Sequence, residues 1–250
     1  MYTIEANAGR GGATIPGEHL FLEHQHLKDE SFSGLKLASF DALGCTFERC
    51  DFRKLKAPHV VLAAGKEASR YVECTFDGTR FRKLLLGPAR LERCRFLDVK
   101  ITDLFSHSAE FVDCVFSGTI SGAAFYGTVV GMDAEFTSRR LNEFRGNDFS
   151  AMKFSDVTFR QGVDLRLQKL PAGDDYFLLE GAEAKLAVVR RRHVEQPASE
   201  ARKSILTYLD VLIEEAAGGQ ADLFLCRDSA PYLSDRIIRD LWKELANTRP

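Results

Sequence analysis

Phenylalanine recurs at every twentieth position through the middle of this chain, at Phe76, Phe96, Phe116 and Phe136. Cysteine stands two positions earlier at Cys74, Cys94 and Cys114, and Ala134 takes the fourth place. The column extends back to Phe52, with Cys50, and to Phe32, and forward to Phe159, with Val157, the steps from Phe52 to Phe76 and from Phe136 to Phe159 being slightly longer. Beneath it runs a period of five: Phe76, Phe81, Leu86, Leu91, Phe96, Ile101, Ser106, Phe111, Phe116, Ser121, Tyr126, Gly131, Phe136 and Leu141. Among the residues two before these, only Arg139 is charged. A period of five suits neither a helix nor a strand; a fixed self-similar period marks a repeat architecture. Four fives complete one turn with four short sides, each sending one large and one small residue inward. Successive turns hydrogen-bond as parallel strands about 4.8 Å apart, so equivalent side chains stack, and seven rungs make a rod roughly 30 Å long.

The inward pairs read Cys45-Thr46-Phe47, Cys50-Asp51-Phe52, Cys74-Thr75-Phe76, Cys94-Arg95-Phe96 and Cys114-Val115-Phe116. This pattern, over residues 32–167, resembles the pentapeptide-repeat family, whose consensus is Ala-Asp/Asn-Leu-X-X. The family's Asp or Asn between the inward positions is kept only at a few places such as Asp51 and Asp148. The resemblance implies a mainly β fold, a right-handed quadrilateral parallel β-helix, to which this sequence adds an α-helical cap. The expected division is an N-terminal tail and capping strand at 1–29, the β-helix at 30–170 and a C-terminal helical region at 171–250.

Residues 1–17 are Gly-rich at Gly9-Arg10-Gly11-Gly12 and read as a loose terminus, since no Lys-Ser/Thr follows to complete a phosphate loop. They carry no basic segment followed by an apolar one, and no apolar run in the chain is as long as a membrane span requires, so the expectation is a cytoplasmic chain without such a span. His24 and His26 share a strand face but lack a third ligand, and read as surface histidines. Residues 58–65 read as an insertion, either a loop folded against the rod or a small contact patch, and a second insertion falls between Leu141 and Phe144. Five of the six cysteines occupy the small inward position, where a free thiol behaves as a compact apolar group. After the breakers at 171–175, residues 182–193, 199–217 and a stretch capped by Ser234 read as helices, with a short strand within 221–226. These helices are expected to cover the open last coil, with Trp242 in the joint.

Net charge is −2, and residues 30–167 hold 20 basic against 18 acidic side chains. The basic ones concentrate in residues 80–100, at Arg80, Arg82, Lys83, Arg90, Arg93, Arg95 and Lys100, whereas residues 101–138 contain no Lys or Arg. Three residues before each ladder phenylalanine stand Arg49, Glu73, Arg93, Asp113, Asp133 and Asp156. One reading places these aspartates at corners, accepting backbone amides. The other makes Asp113, Asp133, Glu135 and Asp156 a carboxylate strip that receives a partner's basic groups or a cation. Arg190-Arg191-Arg192-His193 reads as the basic end of a helix, which its dipole favours, in preference to a phosphate contact.

Catalytic motifs are missing from the sequence: there is no Gly-x-Ser-x-Gly, His-Glu-x-x-His, P-loop or dinucleotide fingerprint. The expectation is a non-enzymatic protein-binding scaffold, without catalytic residues, cofactor or metal, that docks a protein partner through its charged faces. Its candidate contacts are Asp113, Asp133, Glu135, Asp156, Arg80, Arg82, Lys83, Arg93 and Arg95. An immunity or resistance factor fits that description. Some pentapeptide-repeat proteins mimic double-stranded DNA, bind DNA gyrase and protect it, and dimerise through a C-terminal helix. The resemblance therefore implies gyrase binding as the alternative and a homodimer through the C-terminal helices. Near-balanced charge on the rod counts against DNA mimicry, and a neutral chain without an aromatic platform counts against direct nucleic-acid binding.

Overall fold

A computed structural model describes residues 19–131 and 133–249. The Gly-rich stretch at 9–12 lies outside the described residues. Two parallel sheets run the length of a β-solenoid. The first stacks β1 (His19–Glu23), β3 (Ser39–Leu43), β5 (Lys56–Val61), β7 (Arg80–Leu85), β9 (Arg95–Ser106), β11 (Val115–Tyr126) and β13 (Asp148–Arg160) in sequence order. The second stacks β2 (His26–Lys28), β4 (Thr46–Glu48), β6 (Ser69–Val72), β8 (Ala89–Glu92), β10 (Glu110–Val112) and β12 (Phe144–Arg145). In the regular part the register advances by four fives per turn, as in Leu20↔Phe40, Tyr71↔Leu91 and Leu84↔Leu104. One such turn sends Phe76, Phe81, Leu86 and Leu91 inward, each at most 2% exposed, so four sides enclose the core.

The core is a pile of rings. Phe32, Phe52, Phe76, Phe96, Phe116 and Phe149 stack in one column with centroids 4.9, 4.7, 4.6, 4.8 and 4.5 Å apart and planes within 18°. That interval is the strand spacing itself, so backbone hydrogen bonding and ring stacking demand the same geometry. Beside the rings, Cys50, Cys74, Cys94 and Cys114 are buried and free. Each thiol donates to a carbonyl one coil below, those of Leu27, Phe47, Tyr71 and Leu91, at 3.4–3.5 Å.

Two expectations about insertions are corrected. Residues 58–62 are regular solenoid: β5 pairs on both sides, and Val60 and Leu62 are buried. The extra residues lie between Leu62 and Arg70, because the register is regular at Phe40↔Val60 but lengthened at Thr46↔Arg70. The second insertion is larger than the sequence period suggests. Phe149, not Phe136, follows Phe116 in the stack. Phe136 lies instead in a short helix, α1 (Asp133–Phe136), and Phe159 stacks on Phe125 of a neighbouring side at 5.2 Å. The excursion leaves after β11 and closes where Thr128 bridges Leu141, with Asn142 donating its side-chain amide to the carbonyls of Tyr126 and Thr128.

Beyond the rod, α2 (Ala182–Glu195), α3 (Glu200–Ala217) and α4 (Asp235–Asn247) pack on an antiparallel ribbon of β14 (Tyr176–Leu179) and β15 (Leu223–Cys226). Ser199 and Ser234 accept amide hydrogen bonds from Arg202 and Ile237, so they cap α3 and α4. The joint with the rod is made by the ribbon rather than by Trp242. Phe224 and Cys226 belong to the solenoid core, and Phe224 meets Phe154 and Phe159 edge-on at 5.9 Å. Trp242 stacks on Phe177 inside a separate helical core. A tryptophan on the apolar stripe of an amphipathic helix buries against its own neighbours first, and the ribbon supplies the flatter surface that a final coil needs. No helix among the described residues is long and apolar enough to cross a membrane.

Candidate functional site

Because the coils are stacked, outward residues form columns, and two of these columns follow opposite rules. In the first, three residues before each stacked phenylalanine, the chain turns a corner. Asp29, Arg49, Glu73, Arg93 and Asp113 all have φ between 51° and 58°, and Gly146 takes the next place at +67°. Signs alternate from coil to coil. Arg49 meets Asp29 at 2.6 Å and Arg93 meets Glu73 at 3.1 Å. The Arg49 guanidinium holds the Asp29 carboxyl below its ordinary range.

The carboxylate strip of Asp113, Asp133 and Asp156 therefore does not form. Asp113 faces Arg145 at 3.5 Å, and the residue above it is Gly146. Asp133 and Glu135 are carried off in α1, where Glu135 is exposed. Asp156 lies on another corner, over Gly122 and Asp103, and its backbone N–H donates to the Asp228 carboxylate at 3.2 Å. The expectation failed because it took Phe136 and Phe159 as the rungs after Phe116, whereas the chain passes directly from Phe116 to Phe149.

Neighbouring acids are paired too. Arg90 lies 2.7 Å from Glu143 and 3.4 Å from Glu110, and Arg139 reaches Glu110 at 2.6 Å, so the network ties the excursion to β8 and β10. The Arg90 and Arg145 guanidiniums hold the Glu143 carboxyl low.

The basic run at 80–100 divides between faces. Arg93 and Arg95 go to the paired side, Arg93 with Glu73 and Glu92, Arg95 with Asp77. Arg80, Arg82 and Lys83 share the exposed side of β7. There the structure builds the second column. The register Lys36↔Lys56↔Arg80↔Lys100↔Thr119↔Lys153 puts five basic residues, all exposed, in one line. Arg80 pairs with Asp98 at 3.2 Å, while Lys36, Lys56, Lys100 and Lys153 have no carboxylate partner among the described residues. Like charges directly opposite one another in a sheet are destabilising. Lys36, Lys56 and Lys153 escaped the sequence reading, although a signal was present: in five of the coils the basic residue stands four places after the stacked phenylalanine, at 32, 52, 76, 96 and 149.

Other motifs settle into structural contacts. Arg190 pairs with Asp210 at 2.5 Å, and Arg192 and His193 pair with Glu244 at 3.5 and 3.0 Å, binding α2 to α3 and α4. His24 and His26 meet Glu67 and Glu48 at 3.0 and 3.2 Å. A groove of about 270 Å³ near the joint is lined by His107, Gly122, Tyr126, Asp156, Thr158 and Arg160, among others, and opens to solvent. Compared with known proteins, the chain matches no family model and no curated sequence.

Proposed function

We propose that this protein is a non-enzymatic scaffold of the pentapeptide-repeat type, which docks a protein partner on the face carrying the basic column. The observation that carries this reading is the column itself: four exposed cations without carboxylate partners among the described residues, aligned on a rigid stack that pairs its charges coil by coil at a corner one side away. The core behind it is filled with rings, so recognition falls to the surface. A rigid array of one sign guides association and selects a partner of the opposite sign. An immunity or resistance factor, which acts by binding, would work this way.

Gyrase binding by DNA mimicry needs a continuous acidic surface. Pairing of Asp113 and Glu110 with arginines removes charge from the region where the sequence is most acidic. The scaffold reading is preferred for that reason. The test is capture from host lysate on immobilised wild-type protein and on the K56E/K100E variant, followed by binding of the purified captured protein to each. A partner held by wild type and released by the variant supports the reading. A partner held equally by both overturns the assignment of this face.

A further inference from the structure

The geometry of the basic column also narrows the kind of partner it fits, an inference that rests on the scaffold reading. The column spans six levels at the strand spacing of about 4.8 Å, hence about 24 Å in all. We propose that it is a docking strip for an α-helix whose carboxylates lie along one face.

Pitch is the first argument. Side chains on one helix face recur each turn, about 5.4 Å along the axis. Laid along the column, such a helix drifts only about 3 Å over the five steps, which a lysine's flexible four-carbon stem can follow. An extended segment repeats same-side residues roughly every 6.4–6.8 Å and drifts by about 8–10 Å over the same steps. Its carboxylates fall out of register with the lysines.

The surroundings make the second argument. Two positions further along β7, β9 and β11 stand Arg82, Thr102 and Ser121, which add a cation and two hydroxyls beside the column at those three levels. Both kinds of group bind carboxylates. Single-stranded nucleic acid would need aromatic platforms along a basic groove. Phe105, the exposed phenylalanine of β9, lies past the corner at Asp103 and not on the column's side, with the Lys83 ammonium 5.9 Å from its centroid. Carboxylates near the strip are Asp98, which takes Arg80, and Asp103 and Asp156 one column beyond the hydroxyls. They bound the strip at the Lys100 and Lys153 levels, where the acidic stripe it receives must be narrow.

The experiment is fluorescence anisotropy with the full chain. One probe is a labelled alanine–glutamate peptide of about 18 residues, with glutamates at helical i, i+3, i+4 and i+7 spacing, long enough to span the strip. A second has the same composition with glutamates around the whole helix, and a third is a labelled oligothymidine. The striped peptide is expected to bind about tenfold more tightly than the scrambled one, and K56E/K100E to lose about tenfold, a difference of about 1.4 kcal/mol. The variant's urea unfolding midpoint, equal to or above that of wild type, shows that it folds. Equal binding of the two peptides, no binding of the striped one, or tighter binding of oligothymidine overturns the helix proposal. If the captured lysate partner is still released by K56E/K100E in that event, the scaffold reading stands without it; if it is not, both fall.

Discussion

Phe76 lies between Phe52 and Phe96, with ring centroids 4.7 and 4.6 Å away, and is fully buried. Truncating it removes the ring and opens a gap that its two neighbours cannot close, since each is fixed by its own coil. Phe76→Ala should cost about 3–5 kcal/mol, measured by urea unfolding. The thiols beside the rings are shielded by the same packing. Burial pushes Cys94 well above its ordinary range and Cys226 up to about 12. All six cysteines are buried, so an aromatic disulfide reagent should label none rapidly in the native protein and all of them in denaturant. These inward residues were legible in the sequence because one interval fixes both ring and thiol. Outward charges were less so, because their neighbours are defined by register, and one misplaced insertion reassigns every column after it. Asp133 and Asp156 show that error, and Lys153 was hidden by the same uncertainty.

At the scale of elements, the ends and the excursion decide how the solenoid is closed. Gln220, 1% exposed, accepts from the backbone N–H groups of Gly162 and Val163 at 3.1 and 3.0 Å and donates to the Val163 carbonyl at 2.8 Å. It therefore satisfies backbone groups that the last coil has no further strand to pair. Gln220→Ala should cost about 1–3 kcal/mol and speed amide exchange at Gly162 and Val163, seen by hydrogen–deuterium exchange. The excursion is held by ion pairs whose pH dependence has a definite sign. Glu143 has its folded pKa lowered, first by Arg90 and then by Arg145, so its contribution is present above the ordinary value of 4.5 and lost as pH falls through the lower folded value. Urea midpoints measured against pH should fall on the acid side in wild type, and that fall should be shallower in Glu143→Gln. Glu215 in the joint has its pKa raised by burial despite Arg160, so its effect has the opposite sign and relaxes as pH drops. Helices α3 and α4 were readable from apolar stripes and serine caps, whereas α2, capped by Gly181, offered neither. The ribbon's role was not readable, because nothing in a strand as short as Leu223–Cys226 tells which core receives it.

The whole molecule is one ring-filled rod joined to a helical unit with its own core, and its long faces differ in electrostatic design. Along one corner each charge meets its opposite; along the β5, β7 and β9 face cations sit in line. Local stability explains the first arrangement and argues against the second, which is why we propose docking for the basic column. The most direct measurement is the urea unfolding of Lys56→Glu against wild type at low salt and at about 1 M salt, where the Debye length falls to about 3 Å. Lys56 faces Lys36 on one side and Arg80 on the other, so reversing it converts two repulsions into attractions. The variant should be more stable than wild type at low salt, with the gain vanishing at high salt. A variant less stable at low salt would mean that Lys56 serves the fold, and would contradict the account.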